Sequence, residues 1–130
     1  MPIYNPAPSS RLSSIILTIT RDLADVSGDV GYPGAGFIPT AIIALGSINN
    51  QVASWGVGGE SRDAGTVFAH EYNTFTNFGQ LGAVILSAQI DAAKYQTAVL
   101  KSYDADGFTL TWTKFSTPTG IFVAHALCLR

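Results

Sequence analysis

The clearest alternation of apolar and polar positions runs from Ser102 to Lys114, SYDADGFTLTWTK. Phe108, Leu110 and Trp112 take the even positions, and Thr109, Thr111 and Thr113 the odd ones. Side chains on a strand alternate faces, so this pattern sends the large residues into a core and the threonines to a wetter face. Asp106-Gly107 ahead of it is a turn signal, because glycine takes positive φ without a Cβ penalty. The expectation is a hairpin: Gln96 to Ser102 runs in, DADG turns, and FTLTWT runs back.

Other stretches carry the same signal in weaker form. Ser14 to Thr20 (SIILTIT) is rich in β-branched residues and reads as a strand. Thr40 to Ser47 (TAIIALGS) is a continuous apolar run, the mark of a buried central strand. Asn49-Asn50 then turns the chain, and Val52 to Val57 pairs back with Trp55 as its bulky member. Thr66 to Tyr72 reads as a strand, and so does Leu81 to Ile90, from its Val and Ile content. In Ile121 to Leu129 both faces are largely apolar, which predicts a closing strand covered on both sides, by the second sheet or by a neighbouring subunit. Arg21 to Asp29 reads as a loop or single turn before a short strand near Val30. Gly58 to Asp63, Asn73 to Gly79 and Lys114 to Gly120 read as loops, the second carrying exposed Phe75 and Phe78.

About seven to nine strands separated by Gly, Pro and Asn turns predict an all-β fold, an antiparallel β-sandwich or jelly roll. Residues 1–13 stand apart. Pro2, Pro6 and Pro8 remove amide donors and favour extended backbone, so the chain divides into an N-terminal arm, 1–13, and one β-sandwich domain, 14–130.

Composition adds a partner to this picture. Charged residues are 12% of the chain, about half the roughly 25% of ordinary soluble domains. The hydrophobic share, 47%, is ordinary, so what is missing is the usual coat of lysine and glutamate. Such a surface suits a subunit covered by its neighbours. Little charge remains to keep edge strands from pairing at random, and a closed ring, most simply a homotrimer, removes that hazard. A net charge of −2 with no basic run argues against nucleic acid. No apolar stretch reaches the roughly 18 residues of a membrane span, and the proline-rich start has no signal-peptide core. The single cysteine, Cys128, excludes an internal disulfide and sits between Leu127 and Leu129 as a packing residue.

Candidate chemistry is sparse. Glu60, Arg62, Asp63, His70 and Glu71 form the densest polar group, without the HxH or HxxxH spacing of a metal site. His125 lies between alanines on an apolar face, as a core or interface histidine; near a symmetry axis its protonation would make assembly pH-sensitive. Asp104 and Asp106 are too few for a calcium site of six or more oxygens. No GxSxG elbow is present, and the glycine-rich VGGES and GYPGAG lack the lysine and helix start of a phosphate loop. The chain is therefore expected to be no enzyme, with no catalytic residue, metal or cofactor. Trp55, Tyr72, Phe75 and Phe78, with the polar Asn73 beside them, could stack on a sugar; core or subunit-contact packing is the other role for such rings.

The runs ITRDLADVSGDVGYPGAGFIPTAIIALGSI, VASWGVG and KSYDADGFTLTWTKFSTPTGIFVAHALCLR resemble small structural proteins of tailed bacteriophages and prophages. The shared marks are a GF-x-P lead-in to a buried strand (Gly36, Phe37, Pro39), the DADGFTLTWTK hairpin, a PTG loop, and a final strand ending in Leu-Arg. The resemblance covers roughly residues 19 to 130. It implies a trimeric decoration, or cement, protein on the virion surface, made in the host bacterial cytoplasm. Its partners would be itself and the major capsid protein or other virion proteins. The arm, with Pro2, Ile3, Tyr4, Pro6 and Pro8, would reach along the shell or a neighbouring subunit. A weaker similarity is to H-type lectins, small trimeric β-sandwiches. Carried on Phe37-Ile38-Pro39 and Gly107-Phe108, it implies a trimeric sandwich and no sugar-contacting position. The alternative function, a glycan- or receptor-binding module of a tail or fibre, would use the aromatic set Trp55, Tyr72, Phe75 or Phe78 with Asn73.

Overall fold

The computed structural model describes residues 11–48, 52–59, 63–71, 74–81, 84–91 and 93–130. These carry ten strands: β1 (Ser14–Asp22), β2 (Gly28–Pro33), β3 (Ala41–Ile48), β4 (Val52–Gly59), β5 (Asp63–Glu71), β6 (Thr74–Leu81), β7 (Leu86–Gln89), β8 (Tyr95–Asp104), β9 (Gly107–Phe115) and β10 (Ile121–Leu129). They form a six-stranded sheet, β1-β10-β3-β4-β5-β6, and a four-stranded sheet, β2-β9-β8-β7. Every pairing is antiparallel. The fold is thus the antiparallel β-sandwich that the sequence predicts. β3 to β6 is one meander and β7 to β9 another. β10 then crosses back to the first sheet and lies between β1 and β3.

The core sits between the sheets and follows the predicted alternation. Phe108, Leu110 and Trp112 on β9 are fully buried. Burying Phe108 and Leu110 contributes roughly 1.5–3 kcal/mol each relative to exposure. Facing them, the first sheet offers small residues: Ala44 and Gly46 on β3, Ala124 and Ala126 on β10, Ser54 on β4. These small residues leave room for the large side chains of β9 beside Ile42 and Phe122 of the first sheet. The Trp112 and Phe122 rings meet edge to face with centroids 6.0 Å apart. Gly46 is needed for this fit, since a Cβ there would lie 2.5 Å from both Ala124 Cβ and the Phe122 ring.

Polar ties join the two layers. Ser54 Oγ accepts the Ser87 amide at 2.9 Å. A register shift in β8 between Leu100 and Ser102 turns Tyr103 inward, and its hydroxyl donates to the Gly58 carbonyl at 2.8 Å. The largest tie centres on Arg21, which is buried. Its Nε donates to Gln96 Oε1 at 3.0 Å, and Nη2 donates to the Val26 carbonyl at 2.5 Å. The guanidinium carbon lies 5.6 Å from the centroid of Trp112, and Asp25 is 3.6 Å from Nη1. Gln96, fully buried, donates in turn to the carbonyls of Leu23 and Asp25. The charge enters the sandwich with two hydrogen bonds and a carboxylate beside it, and among the described residues no buried side-chain nitrogen or oxygen lacks a partner, the condition under which a buried guanidinium is tolerated.

Two expectations are corrected. Asn73 to Gly79 is no loop: 74–81 is strand β6, paired with β5 at the edge of the sheet, which brings the count of strands to ten. Leu81 to Ile90 is no single strand. β6 ends at Leu81, β7 begins at Leu86, and the chain changes sheets between them. Its apolar character at Ile85, just ahead of β7, matches full burial there. For β10 the single chain supplies one of the two expected covers, the second sheet. Phe122, Ala124, Ala126 and Cys128 are buried, while Ile121, Val123 and His125 are exposed.

Candidate functional site

The two outer faces of the sandwich differ in kind. On the four-stranded sheet the threonines of β9 face outward as expected, with Thr113 exposed. Asp29 on β2 receives the Thr111 hydroxyl at 2.6 Å and pairs with the Lys101 ammonium. These bonds, led by that from Lys101, hold the Asp29 carboxyl below the usual carboxylate range. This is an ordinary solvated sheet face.

The outer face of the six-stranded sheet is apolar. Its rows follow from the strand registers. One row reads Ile16, Leu127, Ile43, Val57; the next Thr18, His125, Leu45, Trp55; the next Thr20, Val123, Ser47, Ala53. Ile16 is 65% exposed, Leu45 60% and Trp55 41%, values at which these side chains meet solvent in the single chain. The one acidic or basic residue among the described outward positions of β1, β10, β3 and β4 is Asp22, at the corner. Its Oδ1 accepts the Ala24 amide at 2.9 Å. His125 lies near the middle, with its Nδ1 3.4 Å from the Thr18 hydroxyl. An alternation that should put polar residues outward has instead put isoleucine, leucine, valine and tryptophan there.

The sequence motifs meet at the opposite edge. Asp106, in the DADG turn, accepts the Gly36 amide on Oδ1 at 2.6 Å and the Gly34 amide on Oδ2 at 3.2 Å. Its main-chain carbonyl accepts the Gly34 and Ala35 amides. Gly34 and Gly36 sit at φ +110° and +74°, left-handed conformations that favour glycine. Gly107 is equally constrained, because a Cβ there would lie 2.1 Å from the Tyr32 carbonyl oxygen. So the GYPGAG loop and the DADG hairpin are one clamp, which sets the start of the Phe37-Ile38-Pro39 segment. Arg130 then lies over the Phe37 ring at 5.9 Å. A cleft of about 350 Å3 beside the clamp is lined by Gly31, Tyr32, Asp104, Asp106 and Phe108 among others. Its carboxylates are occupied: Asp104 takes the hydroxyls of Thr109 at 2.6 Å and Ser102 at 2.7 Å, which lower its pKa in that order. Among the described residues no three of His, Cys, Asp and Glu gather as a metal site would require.

The remaining candidates are dispersed. Pro2, Ile3, Tyr4, Pro6 and Pro8 of the arm lie outside the described residues, as do Glu60, Arg62, Tyr72 and Asn73. Ser13, the last residue assigned to the arm, exchanges two main-chain hydrogen bonds with Arg130 and so extends the β1–β10 ladder. Phe75 and Phe78 fall on β6 rather than on a loop, paired with His70 and Phe68 across an irregular register. Trp55 pairs with Thr66, four residues along β5 from His70, a separation of roughly 13 Å at the strand rise. Trp55 and Phe75 therefore do not share one compact subsite. Cys128 is buried, and burial raises its thiol pKa. The exposed apolar face and the Arg21–Gln96 tie went unread in the sequence; the first could have been found from the outward positions of β3 and β4 taken together with β10. No family profile, curated protein or solved structure matches the chain.

Proposed function

We propose that this protein is a structural subunit of a larger assembly, a trimeric decoration protein on the outer surface of a bacteriophage capsid. The observation that carries the assembly reading is the contrast between the two outer faces. One is threonine-rich and bears an ion pair; the other presents isoleucine, leucine, valine and tryptophan across at least four strands. A face of that kind gains free energy when another protein covers it. The phage setting is supported by the resemblance of residues 19 to 130 to small virion proteins. In this reading function is mechanical: contacts that are weak singly are multiplied by the symmetry of the shell. The arm, residues 1–13, would add contacts along the shell.

Light scattering on the purified chain, alone and with particles lacking it, tests the proposal. Saturable binding at a stoichiometry set by capsid symmetry is the expected result, and removal of residues 1–13 should weaken it. Particles that gain no mass at saturating protein would overturn the decoration role. The sugar-binding alternative draws support from Trp55, an exposed ring on β4. Glycan-array binding that Trp55→Ala abolishes would replace the decoration reading with that one.

A further inference from the structure

We infer that the outer face of the six-stranded sheet is where copies of this chain pack against one another, with the row Thr18, His125, Leu45, Trp55 near the middle of the contact. This rests on the assembly-subunit reading and names the occupant of its surface.

Area is the first argument. β1, β10, β3 and β4 have eight or nine residues each, and β5 and β6 extend the same sheet. At the usual strand spacing and rise, the four strands β1, β10, β3 and β4 present a face of about 19 Å by 27 Å, roughly 510 Å2 in projection before the relief of the side chains is counted. A stable interface takes about 800 Å2 from each partner. These four strands therefore supply the larger part of an interface, well beyond a single anchoring pocket.

Charge is the second. Copies packed through this face bury its rows together, and a face buried in that way carries little charge. Among the described outward positions of these strands the fixed charge is Asp22 alone, at the corner. A nucleic acid or an anionic surface would find no lysine or arginine there to neutralise it. A basic protein partner would find one carboxylate, already taken up by the Ala24 amide. What the face offers is shape and apolar area. A second copy matches both by construction, with sheets stacking about 10 Å apart.

The test is the mass of the purified full chain by light scattering over a hundredfold concentration range. It is run on the wild type, on Leu45→Arg and Ile16→Lys, and on Thr113→Arg as a control on the other sheet. Leu45 and Ile16 are well exposed in the single chain, so both variants should fold, and far-ultraviolet circular dichroism checks that each does. The expected result is a wild type and control at a multiple of 13.7 kDa. Both face variants should need at least tenfold higher concentration to associate. A wild type that associates while both folded face variants keep its mass would overturn the inference and leave the assembly reading standing, with copies meeting elsewhere. A wild type that stays at one copy throughout would also overturn it. If that single copy still coats particles, the shell is the occupant and the assembly reading survives; if it does not, both fall.

Discussion

Replacing Gln96 by leucine should cost far more than the loss of one amide would suggest. Gln96 is fully buried between the sheets and holds three partners: Arg21 Nε, the Leu23 carbonyl and the Asp25 carbonyl. Leucine fills similar space but satisfies none of them. Each buried group left without a partner costs about 1–3 kcal/mol, more where it is charged, and one of the three belongs to a guanidinium. The Asp25 carbonyl is only partly buried and recovers some hydration. The expected loss for Gln96→Leu is about 3–5 kcal/mol, a large share of the roughly 5–15 kcal/mol that a domain of this size commands. Arg21→Met removes the charge and orphans Gln96 Oε1 and the Val26 carbonyl instead. Because the two residues share a bond, the double variant should lose about 1–3 kcal/mol less than the sum of the single losses. Urea unfolding followed by tryptophan fluorescence reads this directly, since Trp112 lies against Arg21. With a slope of about 2 kcal/mol/M, Gln96→Leu should lower the midpoint by roughly 2 M. All variants must be compared at one protein concentration, because association would stabilise the folded chain. A loss below about 1 kcal/mol for Gln96→Leu, or strict additivity of the two changes, would refute the account of a shared buried tie.

Three further outcomes are expected. Gly46→Ala should destabilise by about 1–3 kcal/mol, since its Cβ would meet Ala124 and Phe122 at 2.5 Å; a thermal melt unchanged from wild type would show that the two sheets are not packed as described. Asp29, Asp91 and Asp104 all have pKa values lowered by hydrogen bonds, so each contributes stability that is present above the ordinary carboxylate pKa of about 4 and lost as pH falls through the folded value. Asp104→Asn should therefore lower the melting temperature at pH 7 and flatten its fall between about pH 5 and pH 2, and an unchanged acid profile would remove the Thr109 and Ser102 hydroxyls as its cause. Cys128, buried with a raised thiol pKa, should react with an aromatic disulfide reagent only on unfolding; rapid labelling of the native chain would place it at the surface.

The strands that alternate cleanly were legible in the sequence, and β9 most of all, because one face of it meets a core and the other does not. At β10 the same logic reads two covered faces, and the single chain supplies one: the second, with Ile121, Val123 and His125, stands open. β6 was missed because NTFTNFG has the asparagines and glycine of a loop, while an edge strand needs pairing on one side only. The stretch 81–90 was misread because a buried residue ahead of a strand, here Ile85, is as apolar as the strand itself. Nothing local foretold the Arg21–Gln96 tie, whose members lie 75 positions apart. The clamp was half visible: both glycine-rich motifs were noticed, but their joining through Asp106 needs the fold.

The place of β10 in the six-stranded sheet has a consequence for how the chain is made. β10 follows the other nine described strands in the chain, yet it lies between β1 and β3, and Ser14 pairs with Leu129. Until residues 121–129 exist, β1 has no hydrogen-bonded strand beside it among the described strands, and β3 has one on a single side only. For that interval their unpaired edges must be kept from pairing with other chains before their own partner arrives. A chain that stops before Ile121 is left with β1 parted from the rest of its larger sheet.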